Sequence, residues 1–269
     1  LIGTDDTPYL REITFNGWFS DLYVVNINNG QRKLIYKRLE EGASLSPLGY
    51  YIAYFNNKVW YLYDTRQDTT YNLTSKINSN FYDEEWDVPS EPQSYGIGGW
   101  LKNDDAILIY DRYDIWKIFT SRGNAALNLT AADGRVNNVT FRVRNIDKDK
   151  KWFIPQEFIY LSGFNNKTKE TGIYNCNLEV LGSMKILSEP KRFNLLTKAK
   201  NADKILYTRE SYDEFPDLWL TDSAFSFKKK LSNANPQMAN FNWGRAELVD
   251  CTIKSGDTIK GIVIKPEDF

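Results

Sequence analysis

Five times along the chain a branched aliphatic residue stands directly before a Tyr or Trp, and an aliphatic residue recurs eleven to thirteen positions later. The aromatics are Tyr23, Trp60, Trp116, Tyr174 and Trp219, and their later partners are Leu34, Leu73, Leu129, Ile186 and Leu231. Short apolar runs rich in β-branched and aromatic residues, bounded by turn residues, predict strands. The second occurrence is the clearest. Ser46-Pro47-Leu48-Gly49 makes a turn, because Pro fixes φ and Gly reaches a left-handed conformation, and residues 50–55 follow as a strand. Asn56-Asn57 turns the chain back, residues 59–63 form a second strand, residues 64–68 are polar, and residues 69–74 form a third.

The third unit repeats this antiparallel meander at 106–110, 115–118 and 125–130, and the fifth at 204–208, 218–220 and 229–232. In the first, residues 22–25 and 33–35 flank Asn28-Asn29-Gly30; in the fourth, residues 158–161 precede Ile173-Tyr174. Successive aromatics are 37, 56, 58 and 45 residues apart, which brackets the roughly 40–50 residues of a β-propeller blade. The expected fold is therefore all-β, a β-propeller with about five visible blades of four-stranded antiparallel sheet. Helical periodicity occurs nowhere over a useful length. Two insertions are expected, at 75–96 and 131–157, where ligand contacts are best accommodated. The blades fill residues 1–240, and residues 241–269 read as an exit hairpin turning at Ser255-Gly256-Asp257-Thr258.

Composition supports the β reading: 8 Trp, 17 Tyr and 15 Phe suit stacked sheet faces. A net charge of −1 from 34 basic and 35 acidic residues provides no field for nucleic acid. The Lys228-Lys229-Lys230 run and the mixed run 147–151 read as solvated turn tips. No window approaches the ~18 apolar residues of a membrane span. Opening on Leu1-Ile2-Gly3, the chain reads as a fragment or processed product. Cys176 and Cys251 lack a Cys-x-x-Cys spacing and either pair or stay free. Of the four Asn-x-Thr triplets, those at Asn72 and Asn128 double as strand endings; Asn138 and Asn166 begin the others.

The chain contains no histidine, so it carries no Ser-His-Asp triad, Cys-His dyad or His-containing zinc site. It also lacks a Gly-x-Ser-x-Gly elbow and an acidic calcium loop. Gly96-Ile97-Gly98-Gly99 misses the third glycine of a dinucleotide fingerprint and reads as a bend leading into a strand. No catalytic residue, metal site or cofactor is expected. Asp104-Asp105 is expected in a solvated turn. Among the carboxylates, the cluster Asp83-Glu84-Glu85 with Asp87, set beside aromatics in the first insertion, stands out.

Together these motifs resemble the propeller domain of the prolyl oligopeptidase family of serine peptidases, in its dipeptidyl peptidase IV-like branch. The residues carrying the likeness are the stretch from Ser46-Pro47-Leu48-Gly49 through Tyr54, the Asp114-Ile115-Trp116 and Asp217-Leu218-Trp219 units, the endings Asn128-Leu129-Thr130 and Lys230-Leu231-Ser232, and Glu210-Ser211 ahead of Pro216-Asp217. In the tail, Gly256-Asp257-Thr258-Ile259-Lys260-Gly261 and then Lys265-Pro266-Glu267-Asp268-Phe269 resemble the crossing into an α/β-hydrolase domain.

The resemblance implies a noncatalytic portion that gates access of short peptides, with the catalytic triad in a missing C-terminal domain. It further implies that the visible blades belong to an incomplete seven- or eight-bladed ring, that Glu84 and Glu85 bind the substrate's free amino terminus, and that the setting is periplasmic or extracellular, with homodimers a possible assembly. The competing expectation is a stand-alone TolB-like propeller that scaffolds protein complexes. A third, a five-bladed carbohydrate-active enzyme, would require carboxylates converging near a central channel.

Overall fold

The computed structural model describes residues 1–121 and 126–266. Among them, five antiparallel sheets follow one another along the chain. The first holds β1 (Ile2–Asp5), β2 (Ser20–Val25) and β3 (Arg32–Leu39); the second holds β4 (Ser44–Leu45), β5 (Tyr51–Asn56), β6 (Val59–Asp64) and β7 (Thr69–Asn72). The third comprises β8 (Ile97–Trp100), β9 (Ala106–Tyr110), β10 (Ile115–Phe119) and β11 (Leu127–Asn128). The fourth comprises β12 (Val139–Arg144), β13 (Phe158–Asn165), β14 (Thr171–Asn177) and β15 (Ser183–Glu189). The fifth comprises β16 (Arg192–Lys198), β17 (Ile205–Ser211), β18 (Glu214–Thr221) and β19 (Lys229–Lys230), and a separate hairpin follows, β20 (Arg245–Thr252) and β21 (Thr258–Lys265). Sequential four-stranded meanders of this kind are the blades of a β-propeller.

The strand period of two explains how the sheets stack. In β5, Ile52 and Tyr54 enter an apolar layer with Leu22 and Leu39 of the first sheet, whereas Ala53 and Phe55 enter a layer with Ile107 and Ile109 of the third. β9 does the same one sheet later: Ala106, Leu108 and Tyr110 turn toward Phe141, Ile159 and Leu161 of the fourth sheet. Both strands are thus covered on both faces, and each fully buried aliphatic side chain contributes about 1.5–3 kcal/mol. Tyr174 exploits two glycines in the fourth sheet. Gly163 and Gly172 are cross-strand partners, and a Cβ on Gly163 would lie 2.4 Å from the Tyr174 ring, which rests edge-on against Phe141 at 5.0 Å.

The repeated motifs at the unit ends have a shared hydrogen-bond role. The Trp60, Ile115 and Leu218 N–H groups donate to the hydroxyls of Thr74, Thr130 and Ser232 at 3.1, 3.2 and 2.9 Å. The Thr130 and Ser232 hydroxyls in turn donate to Asp114 and Asp217, each at 2.6 Å. The Asn-Leu-Thr endings are therefore structural, with Thr74 and Thr130 buried.

Several expectations are corrected. Asp104 is not solvated: it is 1% exposed and accepts hydrogen bonds from Ser46 Oγ (2.5 Å), Leu48 N (3.0 Å) and Tyr50 N (3.3 Å) of the preceding sheet. The 131–157 segment is not all insertion, because β12 lies within it and α2 (Asp133–Asn137) precedes that strand; α1 is the four-residue Ile13–Asn16 helix near the chain start. The first sheet has three strands where four were expected. Lys230 is exposed as expected but lies in β19 and not in a turn, and it pairs with the buried Asp217 at 2.6 Å. Trp60 is one position out of step with Trp116, since Tyr61 opposes Asn72 as Trp116 opposes Asn128. Ala125, expected to open a strand, and Glu267-Asp268-Phe269 of the expected domain crossing lie outside the described residues.

Candidate functional site

The insertion carrying Glu84 and Glu85 is a braced loop between β7 and β8. Phe81 is 2% exposed and packs edge-on against Trp116 at 6.0 Å. Beyond Phe81 the two limbs pair as a short neck, with an antiparallel bridge between Tyr82 and Ser94 and bonds from Asp83 N to Gln93 O (2.7 Å) and Tyr95 N to Phe81 O (3.1 Å). Two outside contacts secure it. Glu41, between the first and second sheets, accepts from Ser94 N at 2.5 Å and Ser94 Oγ at 2.6 Å. Ser79 Oγ donates at 2.7 Å to Asp111, which also accepts from the Trp116 indole at 2.9 Å.

At the tip, Glu84 N–H donates to Tyr95 Oη at 2.8 Å, and Asp83 Oδ1 accepts from Glu85 N at 3.1 Å. Trp86 Nε1 closes the far side on Ser90 O at 3.0 Å. Burial raises the Tyr95 phenol to about 12, with the Asp83 and Glu84 carboxylates adding to the rise against the Glu84 N–H bond. Tyr95 therefore stays protonated through the physiological range and serves as a fixed brace.

The two glutamates sit side by side on this exposed tip and take different partners. Glu84 accepts from Asn80 Nδ2 at 2.9 Å. Glu85, with 70% of its side chain exposed, forms an ion pair with Arg112 of the turn between β9 and β10. Arg112 is raised in pKa: burial opposes this, but Tyr113 and Glu85 outweigh it. Tyr113 has two guanidinium groups near its ring, Arg112 at 5.1 Å and Arg135 at 5.3 Å. Glu84, whose partner is a neutral amide, is the carboxylate suited to charge-assisted contact with a cationic group, whereas Arg112 already neutralises Glu85.

The remaining candidate carboxylates have other tasks. Asp111 and Asp114 are 1% and 0% exposed; Asp111 organises its own turn through Tyr113 N and Asp114 N, and Asp114 accepts from Gly134 N and Arg135 N. The acid of Asp114 is raised by burial, against the opposing pull of the Thr130 hydroxyl. Neither is available to a substrate. Among the described residues no group of three or more His, Cys, Asp or Glu side chains is placed to hold a metal ion. The sequence reading missed Glu41, Tyr95 and Arg112. Arg112 stands in a recognisable Asp-x-x-Asp turn, whereas nothing local marks Glu41, 53 residues from Ser94.

No protein-family model matches this chain, and no curated protein matches it. Among solved structures it is similar to TolB from Acinetobacter baumannii, with 14% identity and a TM-score of 0.40 over 80% of this chain and 49% of that one. It is also similar to the AtxE2 isopeptidase in its apo form, with 12% identity and a TM-score of 0.34 over 84% of this chain and 56% of that one. The chain thus spans about half the length of these solved structures.

Proposed function

We propose that this chain is the noncatalytic, substrate-gating propeller portion of a serine peptidase resembling the dipeptidyl peptidase IV-like enzymes. In this reading residues 1–240 form the blades, and residues 241–269 lead into an α/β-hydrolase domain that supplies nucleophile, acid and base. Glu84 and Glu85 hold the free amino terminus of a short peptide, in a periplasmic or extracellular setting. The observation that carries the reading is the braced insertion tip. Its backbone is fixed by Tyr95 and its neck by Glu41, so an exposed carboxylate pair is held in place before a ligand arrives, which lowers the ordering cost of binding. Glu84, with one amide donor, retains acceptor capacity for an ammonium group.

The second reading is a stand-alone scaffold for protein contact. The β20–β21 hairpin fits it as well as the first reading: Ala246 opposes Ile264 and Leu248 opposes Ile262 on one face, and Ile262 is 73% exposed. Two-stranded hairpins are marginal alone, so this ribbon suits a covering partner, whether a hydrolase domain or another protein. The parent reading frame decides between them: a downstream Gly-x-Ser-x-Gly followed by Asp and His supports the peptidase, and a stop soon after Phe269 supports the scaffold. On the first reading the chain alone leaves X-Pro and X-Ala dipeptide amides intact while the protein with its hydrolase domain cleaves them. Cleavage by the purified chain would refute the division of labour.

A further inference from the structure

A cavity of about 690 Å³ opens between the second and third sheets, with Lys76, Ile77 and Asn78 at the start of the 75–96 insertion also on its wall. Leu62, Leu73, Trp116 and Ile118 give it apolar walls, and Tyr71 and Phe119 add aromatic rings. Its size falls within the roughly 300–1,000 Å³ of small-molecule sites. Two polar atoms of wall residues are already committed: Trp116 Nε1 donates to Asp111 at 2.9 Å and Thr120 Oγ1 to Asp104 O at 2.7 Å. The ring of Trp116 therefore meets the cavity as an apolar surface. Among the described lining residues none is a carboxylate, and Lys76 is the charged one. Lys76 is exposed and makes no ion pair among the described residues.

We propose that this cavity binds a small amphipathic organic anion, its hydrocarbon body against Leu62, Leu73, Trp116 and Ile118 and its acidic group at Lys76. Charge complementarity selects the class: an apolar chamber with an ammonium and no carboxylate among its described lining residues favours a carboxylate or sulfonate over a neutral or cationic ligand. The site is independent of the peptidase reading, since it shares no residue with the insertion tip.

Isothermal titration with octanoate and with octanol tests it. Octanoate binds saturably, one per chain, and Lys76→Gln weakens it about tenfold, the equivalent of one charge-assisted hydrogen bond. Octanol affinity changes less than twofold in the same variant. Leu73→Trp or Ala126→Phe, which place a ring in the chamber, abolish binding of both while near-ultraviolet circular dichroism stays that of the parent. Unsaturable octanoate binding, or a Lys76→Gln affinity equal to the parent's, overturns the proposal. So does full binding in correctly folded Leu73→Trp and Ala126→Phe. Should both filled variants misfold, the Lys76→Gln comparison alone decides.

Discussion

The Ser46 hydroxyl donates a 2.5 Å hydrogen bond to the Asp104 carboxylate, joining the turn of the second sheet to the third across 58 residues. Asp104 also receives Leu48 N and Tyr50 N, so removing it strands three donors, two of them backbone, in a largely buried seam. Asp104→Ala is expected to cost about 2–4 kcal/mol. Urea denaturation measures this; a shift under 0.5 kcal/mol would show that water replaces the carboxylate.

Gly163→Ala sets a methyl group against the Tyr174 ring and is expected to destabilise by about 1–3 kcal/mol. Tyr174→Ala removes the obstruction. In a double-mutant cycle the second change should recover a large part of the loss from the first. Simple additivity of the two would mean that the contact is not what excludes a side chain.

Asp217 contributes to acid sensitivity. Its carboxyl is lowered from 3.8 to about 2, chiefly by Lys230 and then by the Ser232 hydroxyl and Ala234 N–H. Because the folded pKa lies below the unfolded one, the stabilisation is fully present above pH 3.8 and is lost as pH falls toward 2. Asp217→Asn should therefore flatten the stability profile in that window, by at most about 2 kcal/mol. Denaturation midpoints at pH 2, 3, 4 and 5 provide the comparison, and parallel profiles for parent and variant would contradict it.

The two cysteines differ in reactivity. Cys176 is buried, which pushes its thiol up to about 12, while Cys251 is exposed and free on β20. The thiolate is the reactive form. Titration of the native protein with a disulfide reagent should modify Cys251 quickly and Cys176 only after urea is added. Two equally fast thiols in the folded state would exclude this burial.

On the proposed peptidase reading, Glu84→Gln in a protein carrying a hydrolase domain is expected to lower kcat/KM for free-amine peptide substrates about tenfold or more while changing N-blocked ones less than twofold. Glu85→Gln should act in the same direction with a smaller effect, because Arg112 already partners that carboxylate. Equal losses on both substrate types would remove the amine-anchor role.

Much of the fold is legible in the sequence because strands covered on both faces are written as continuous apolar runs. Residues 51–55 and 106–110 are of this kind, and both are central strands. Val139, Phe141 and Val143 alternate with Thr140, Arg142 and Arg144, a period-two signal diluted by the polar residues and assigned to an insertion. Asp104 misleads for a different reason: a turn aspartate is ordinarily hydrated, and its partners Ser46, Leu48 and Tyr50 lie in another sheet. The Glu84–Glu85 loop is visible in composition, but its bracing by Glu41 and Arg112 is a product of tertiary folding that no local pattern encodes.

Because Ser94 is held by Glu41 at one seam and Ser79 by Asp111 at the next, the insertion is a strut joining both seams. Twisting one sheet against its neighbour must stretch one of these bonds, so the loop that presents the two glutamates also ties three successive sheets together.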